Sequence, residues 1–205
     1  DEAIQRHVEV TSVHGASDEP DGPIESRGEM AGMFAVDGLK RGLRFGFIAG
    51  SDGHGLIYHH GIGRHRDPWA HAVTGVLSAS PRRDELWKAM YARHTFGTSG
   101  PRSQVFLAVG RDAVQGDRIQ GRPPWVLEVK ATMTGPITEA AIFRNGEKWK
   151  VLKVPVGAMS FVQKVEDAPA EGATADASYF LRVTEKAPPE GRVEAAWTSP
   201  VFLSR

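Results

Sequence analysis

A chain of 205 residues can bury one good core or two modest ones. Its 25 Lys plus Arg balance 25 Asp plus Glu, which excludes the excess positive charge that a broad grip on nucleic acid or an anionic membrane needs. With no cysteine there are no disulfides and no thiolate metal sites, so any metal must sit on His and carboxylate.

No apolar run of about 18 residues occurs, so no membrane span is expected, and no basic-then-apolar leader opens the chain. The first strand, Val8 to Val13, is under way soon after Asp1. Such an opening leads us to expect processing or further polypeptide upstream, and it leaves the compartment open between periplasm and cytoplasm. A polar loop with Gly and Pro follows from His14 to about Gly28. From Glu29 to Arg41 the spacing of Met33, Val36 and Leu39 predicts a helix, with Lys40 and Arg41 suited to its negative end and Gly42 just beyond. Arg44 to Gly50 is apolar on both faces, as in a strand covered on both sides. Ser51 to His71 reads as a loop crowded with Gly and His.

Ser80-Pro81 predicts a helix start, with Ser as N-cap. The pairs Leu86 with Met90 and Trp87 with Tyr91 predict a core-facing stripe on that helix. After Gly100-Pro101 the pattern changes to strands: Gln104–Val109, Trp125–Met133, Ile137–Arg144, Lys148–Val154, Met159–Val165, Ser178–Thr184 and Val193–Leu203. Asn145-Gly146 marks a hairpin, because both positions tolerate positive φ. Asp167 to Ala177 reads as a low-complexity loop. About seven strands at this spacing predict a β-sandwich.

Chemistry concentrates in Gly50-Ser-Asp-Gly-His-Gly55, at the C-terminal end of the buried strand. In α/β architectures active sites gather at that edge. Asp52 and His54 are two apart, so in extended backbone both point the same way and can share one divalent ion. The bland alternative is an Asp that caps its own turn. His14 stands where the first strand ends and is the candidate third ligand. Glu9 would face the opposite side of a regular strand from His14, so both reach one site only if the strand breaks; otherwise Glu9 is structural, or a carboxylate that orients a ligating His. Arg93 and Arg102 flank Gly97-Thr-Ser-Gly100 and are candidates to meet an anionic substrate, against the reading that this segment only joins two domains. His59, His60, His65 and His71 read as exposed loop histidines unless one donates a proton or contacts a phosphate.

The segment Phe45-Gly-Phe-Ile-Ala-Gly-Ser-Asp-Gly-His-Gly55 resembles the Gly-Ser-Asp-x-His motif of the PHP (polymerase and histidinol phosphatase) superfamily, in which Asp and His are metal ligands. Phe34 to Ile48, Thr74 to Ser80, Asp84 to Gly100, Ser178 to Val183 and Ala196 to Val201 are similar to the carbaryl-hydrolase-like subgroup, and Val8 to Gly15 with Ser17-Asp-Glu19 to an earlier segment of it. The resemblance covers most of the chain, although only Gly50 to Gly55 is highly specific. It implies an α/β part followed by all-β: residues 1–102 as the C-terminal portion of a distorted PHP-type α/β barrel, and residues 103–205 as an Ig-like β-sandwich. It further implies a metal-dependent hydrolase of small-molecule esters, most plausibly phosphoesters, with Zn, Mn or Fe ions and an attacking metal-bound hydroxide. Asp52, His54 and His14 would be the metal ligands. The sequence departs from the family in lacking the opening His-x-His, since His7 and His14 each stand alone. An upstream segment or a second chain would then complete the barrel. The alternative is a non-catalytic binding or assembly module on a degenerate PHP scaffold.

Overall fold

The computed structural model describes residues 3–12, 14–26, 28, 31–52, 72–168, 176–187 and 192–204. In chain order the elements are β1 (His7–Ser12), β2 (Gly15–Ala16), α1 (Ala35–Lys40), β3 (Gly46–Ala49), β4 (Val73–Val76), α2 (Arg83–Tyr91) and β5 (Thr95–Thr98). Then follow β6 (Gln104–Val109), β7 (Ala113–Val114), β8 (Arg118–Gln120), β9 (Trp125–Thr132), β10 (Ile137–Arg144), β11 (Glu147–Val151), β12 (Ser160–Asp167), β13 (Ala177–Ala187), β14 (Arg192–Thr198) and β15 (Val201–Ser204).

Three sheets form layers. A four-stranded sheet, β12-β9-β6-β7, faces an eight-stranded sheet, β11-β10-β13-β14-β5-β4, to which β15 and β8 attach through β13. The strict alternation of Trp125, Leu127, Val129 and Ala131 turns one face of β9 inward, where it meets Ile142, Leu181, Val183 and Ala196 from the larger sheet. The eight-stranded sheet is covered on its other face too. Phe143, Phe180, Trp197 and Phe202 meet Val10, Phe47, Val36 and Leu39 from a three-stranded sheet, β2-β1-β3, and from α1. A strand between two cores needs apolar side chains on both faces, which is why β13 is buried along nearly its whole length. The predicted hairpin forms between β10 and β11, with φ 51° at Asn145 and 78° at Gly146.

The expected α/β barrel is not there. β1 and β3 do pair in parallel, but their sheet stops at three strands, and the described residues hold only two short helices. The chain around them is mostly strand. The segments before residue 102 that carried the resemblance include β4 and β5, which join β14 in the large sheet. The physical reason lies in side chains: Thr74, Thr95 and Thr98 are β-branched and Gly75 and Gly97 are poor helix formers, so this stretch suits a sheet.

Four local expectations also change. The first helix is Ala35–Lys40, leaving Met33 outside it and 69% exposed, and Asp37 caps it by accepting the Phe34 N–H at 3.0 Å. The second helix has Arg82, not Ser80, at its N-cap. Its Trp87, Met90 and Tyr91 face outward instead of into a core, with Trp87 69% exposed. The final predicted strand splits into β14 and β15 at Ser199-Pro200, since Pro cannot donate to a ladder. No helix among the described residues is long and apolar enough to cross a membrane.

Arg182, buried between the layers, is paired. Arg182, 2% exposed, bonds Asp18 at 2.8 Å, Glu19 at 2.5 Å and Glu139 at 3.1 Å. Asp18 also accepts the Trp197 indole N–H at 2.8 Å. This network fastens the loop before α1 to β13 and β14. Glu185 and Glu194 lie directly opposite one another on β13 and β14, both buried. Ser103 donates to Glu185 at 2.6 Å and Ser99 to Glu194, so the segment leaving β5 is anchored through its hydroxyls.

Candidate functional site

The parallel strands β1 and β3 bring their C-terminal ends together. The pairing runs from His7 opposite Gly46 to Thr11 opposite Ala49, with a shift in register between Glu9 and Thr11. A bulge of this kind re-aims side chains. β1 then ends at Ser12, and His14 sits in the tight turn to β2, its N–H donating to the Ser12 hydroxyl at 3.2 Å. The break that Glu9 and His14 would need to reach one place is therefore present.

Past the end of β3, Asp52 takes φ 49°, a left-handed conformation that Asp tolerates better than most residues. Its carboxylate Oδ2 lies 2.7 Å from His14 Nε2, and the two side chains are 39% and 54% exposed. Such an accessible pair contributes little to stability and remains open to a ligand. Glu9 completes the group. Burial, and then repulsion from Asp52, push its carboxyl above its ordinary value, against a hydrogen bond from Ser12 and the attraction of His14. Gly50 makes room for it, since a Cβ there would stand 2.9 Å from Glu9 Oε2.

Of the residues singled out from sequence, Asp52 and His14 are thus brought into contact, while His54 lies outside the described residues, as do His59, His60, His65 and His71. Arg93 is elsewhere. It is 8% exposed with φ 64°, and its Cβ would be 2.7 Å from a Cβ on Gly46, at the opposite end of β3 from Asp52. There its charge, after burial, helps hold the His7 imidazole below its usual value. Arg102 follows β5, which runs alongside β3: Thr95 donates to the Phe47 carbonyl at 2.8 Å, and a Cβ on Gly97 would lie 3.1 Å from that of Ala49. The segment carrying Arg102 therefore leaves β5 at the Asp52 end.

One imidazole and two carboxylates are the donor types that a borderline divalent ion takes. Their arrangement is not yet a closed site. His14 and Asp52 are bonded to each other, and among the described residues no group of three such side chains is placed to hold an ion.

Sequence reasoning left Glu9 between roles and did not single out Ser99 or Glu194. Glu9 was detectable only through the strand break beside it. The buried hydroxyl–carboxylate contacts carry no signal in a single sequence, because they join residues 82 and 95 positions apart.

No family profile matches the chain, and no solved structure matches it. An uncharacterized protein of Chlamydia pneumoniae is 25% identical over 219 aligned positions, covering 98% of this chain and 34% of that protein. Uncharacterized proteins of Chlamydia muridarum and Chlamydia trachomatis are each 26% identical over 224 positions, with the same coverage. The chain is thus similar throughout its length to one portion of these proteins, and spans about a third of the relatives it matches.

Proposed function

We propose that this chain carries part of the site of a metal-dependent hydrolase acting on small-molecule esters, phosphoesters foremost, as its resemblance to PHP-superfamily metallohydrolases implies. The observation that supports this reading is the contact of His14 with Asp52, within electrostatic reach of Glu9, at the C-terminal edge of two parallel strands, in the stretch that carries Gly-Ser-Asp. Asp52 and His14, with His54, would hold a divalent ion of the Zn, Mn or Fe kind. Such an ion would acidify water and polarise the ester. Glu9 would help orient His14 and offset the charge of a bound ion, and Arg102, on the segment that leaves β5 at this end, would supply a cation for an anionic substrate. An upstream segment or a second chain would contribute the remaining ligands.

The test is metal content, measured by mass spectrometry after loading with Zn, Mn or Fe and extensive dialysis. Retained metal that is lost in Asp52→Asn supports the hydrolase. A protein that keeps no metal, whether alone or joined to further polypeptide of its reading frame, overturns it. The second reading is a non-catalytic binding or assembly module. It is favoured by the outward-facing Trp87 and Tyr91 of α2, 69% and 52% exposed, because large aromatic side chains left in water mark interaction surfaces. Absence of metal together with stable self-association would select that reading.

A further inference from the structure

The opposite end of β3 carries a second feature. Between α1, the start of β3 and the strands β8, β13 and β15 lies a cleft of about 240 Å³. Among the described residues Lys40, Arg44 and Arg118 line it, against a single carboxylate, Asp176. In a chain whose charges balance overall, three cations to one acid is a local excess. Neither Lys40 nor Arg118 makes an ion pair among the described residues. The floor is apolar, formed by Leu39, Phe202 and Leu203, 4%, 7% and 2% exposed.

The cations are placed by the fold. β8 pairs in parallel with β15 so that Arg118 stands opposite Phe202, which puts its side chain on the face that α1 covers. Lys40 is the last residue of α1, and its stem passes over the β10–β11 turn, where a Cβ on Gly146 would lie 2.9 Å from Lys40 Cγ. Arg44 precedes β3 by two residues, while Asp52 follows it by three. The intervening extended residues separate the cleft from the His14–Asp52 pair by roughly 20 Å.

We propose that this cleft binds a small dianion with a compact apolar body, the chemistry of an aryl or alkyl phosphate monoester or phosphonate. The charged head would meet Lys40 and Arg118, and the body would lie on Leu39 and Phe202. A free inorganic phosphate fills only part of such a volume and forgoes the apolar floor, so it should bind more weakly. The inference is independent of the hydrolase reading, because it uses none of the same residues.

Phenylphosphonate, which carries no hydrolysable P–O–C bond, is the probe. Titration followed by amide NMR should show saturable shifts at Ser178 and Ser204, with binding weakened as salt rises. Arg118→Ala and Lys40→Ala, both on exposed side chains, should each weaken it about tenfold, while Asp52→Asn leaves it unchanged. Lys40→Arg, which keeps the charge, should retain binding. Shifts confined to residues around His14 and Asp52, affinity unaltered in the Lys40→Ala/Arg118→Ala double variant, or no saturation at millimolar ligand would each overturn the proposal.

Discussion

The two facing sheets and the three-stranded sheet hold their strand edges in different ways. Within the former, neighbours are joined by backbone ladders such as the eight-residue pairing of β12 with β9, around one shared core. The three-stranded sheet instead meets the large sheet through hydroxyls. Ser199 accepts the Phe47 N–H at 2.8 Å, Thr95 donates to the Phe47 carbonyl, and Thr74 bonds both the N–H and the carbonyl of Ala49 at 2.9 and 2.7 Å. Its strands are short, and the approach to α1 leaves Met33 in water. The sandwich has a core of its own between its two sheets, whereas the N-terminal layer shares its core with the outer face of the large sheet. The chemically suggestive residues sit on the less self-sufficient layer, as is usual where function requires loops and accessible polar groups.

The strongest way to break this contrast is to cut the tie between the layers. Arg182→Leu leaves Asp18 buried without its cation and should cost about 3–5 kcal/mol in urea unfolding; a loss below about 1 kcal/mol would mean that the layers are held mainly by apolar contact. Leu127→Ala, wholly inside the sandwich, should cost about 2–5 kcal/mol, while Trp87→Ala should change stability by no more than about 0.5 kcal/mol. A large effect at Trp87 would show that α2 packs against something in solution.

Two pH experiments sharpen the contrast further. Asp117 is raised by burial, but hydrogen bonds from His94 and the Val114 amide outweigh that and hold it below its ordinary value. A depressed carboxyl stabilises the fold above its unfolded pKa, and that stability is lost as pH falls through the folded value. His94→Gln should therefore reduce the stability lost on acidification below about pH 4. Glu9 behaves oppositely. Its raised pKa means that folding is favoured while it is protonated and loses stability as pH climbs from the ordinary carboxyl range through the folded value. Glu9→Gln should abolish this small decline, read as a flatter melting-temperature profile between pH 4 and 7. If the wild type shows none, Glu9 and Asp52 do not share one electrostatic environment.

The sequence was most informative where a strand has one wet face. Trp125 to Met133 announces β9 by alternation, and Asn145-Gly146 announces its hairpin by backbone preference. It misled where apolar spacing implied a partner: Leu86, Trp87, Met90 and Tyr91 form a helical stripe, yet spacing alone does not say what covers it. The barrel expectation failed for a related reason, because β1 and β3 carry the pattern of barrel strands without, among the described residues, the further strands that would close one. At the site, Asp52 was legible from its motif and His14 from its place at a strand end. That they touch depends on the bulge after Glu9, and register shifts leave little trace in residue type.

The Phe47 amide is bonded to a hydroxyl 152 residues further along the chain. Its exchange with deuterium therefore requires either local withdrawal of β3 or release of the C-terminal segment between β14 and β15. If the N-terminal layer lifts off alone, Phe47 will exchange long before Leu181, whose amide bonds the hydroxyl of Thr198, next to Ser199. If the two amides exchange at one rate, the first and last thirds of the polypeptide open as a single cooperative unit.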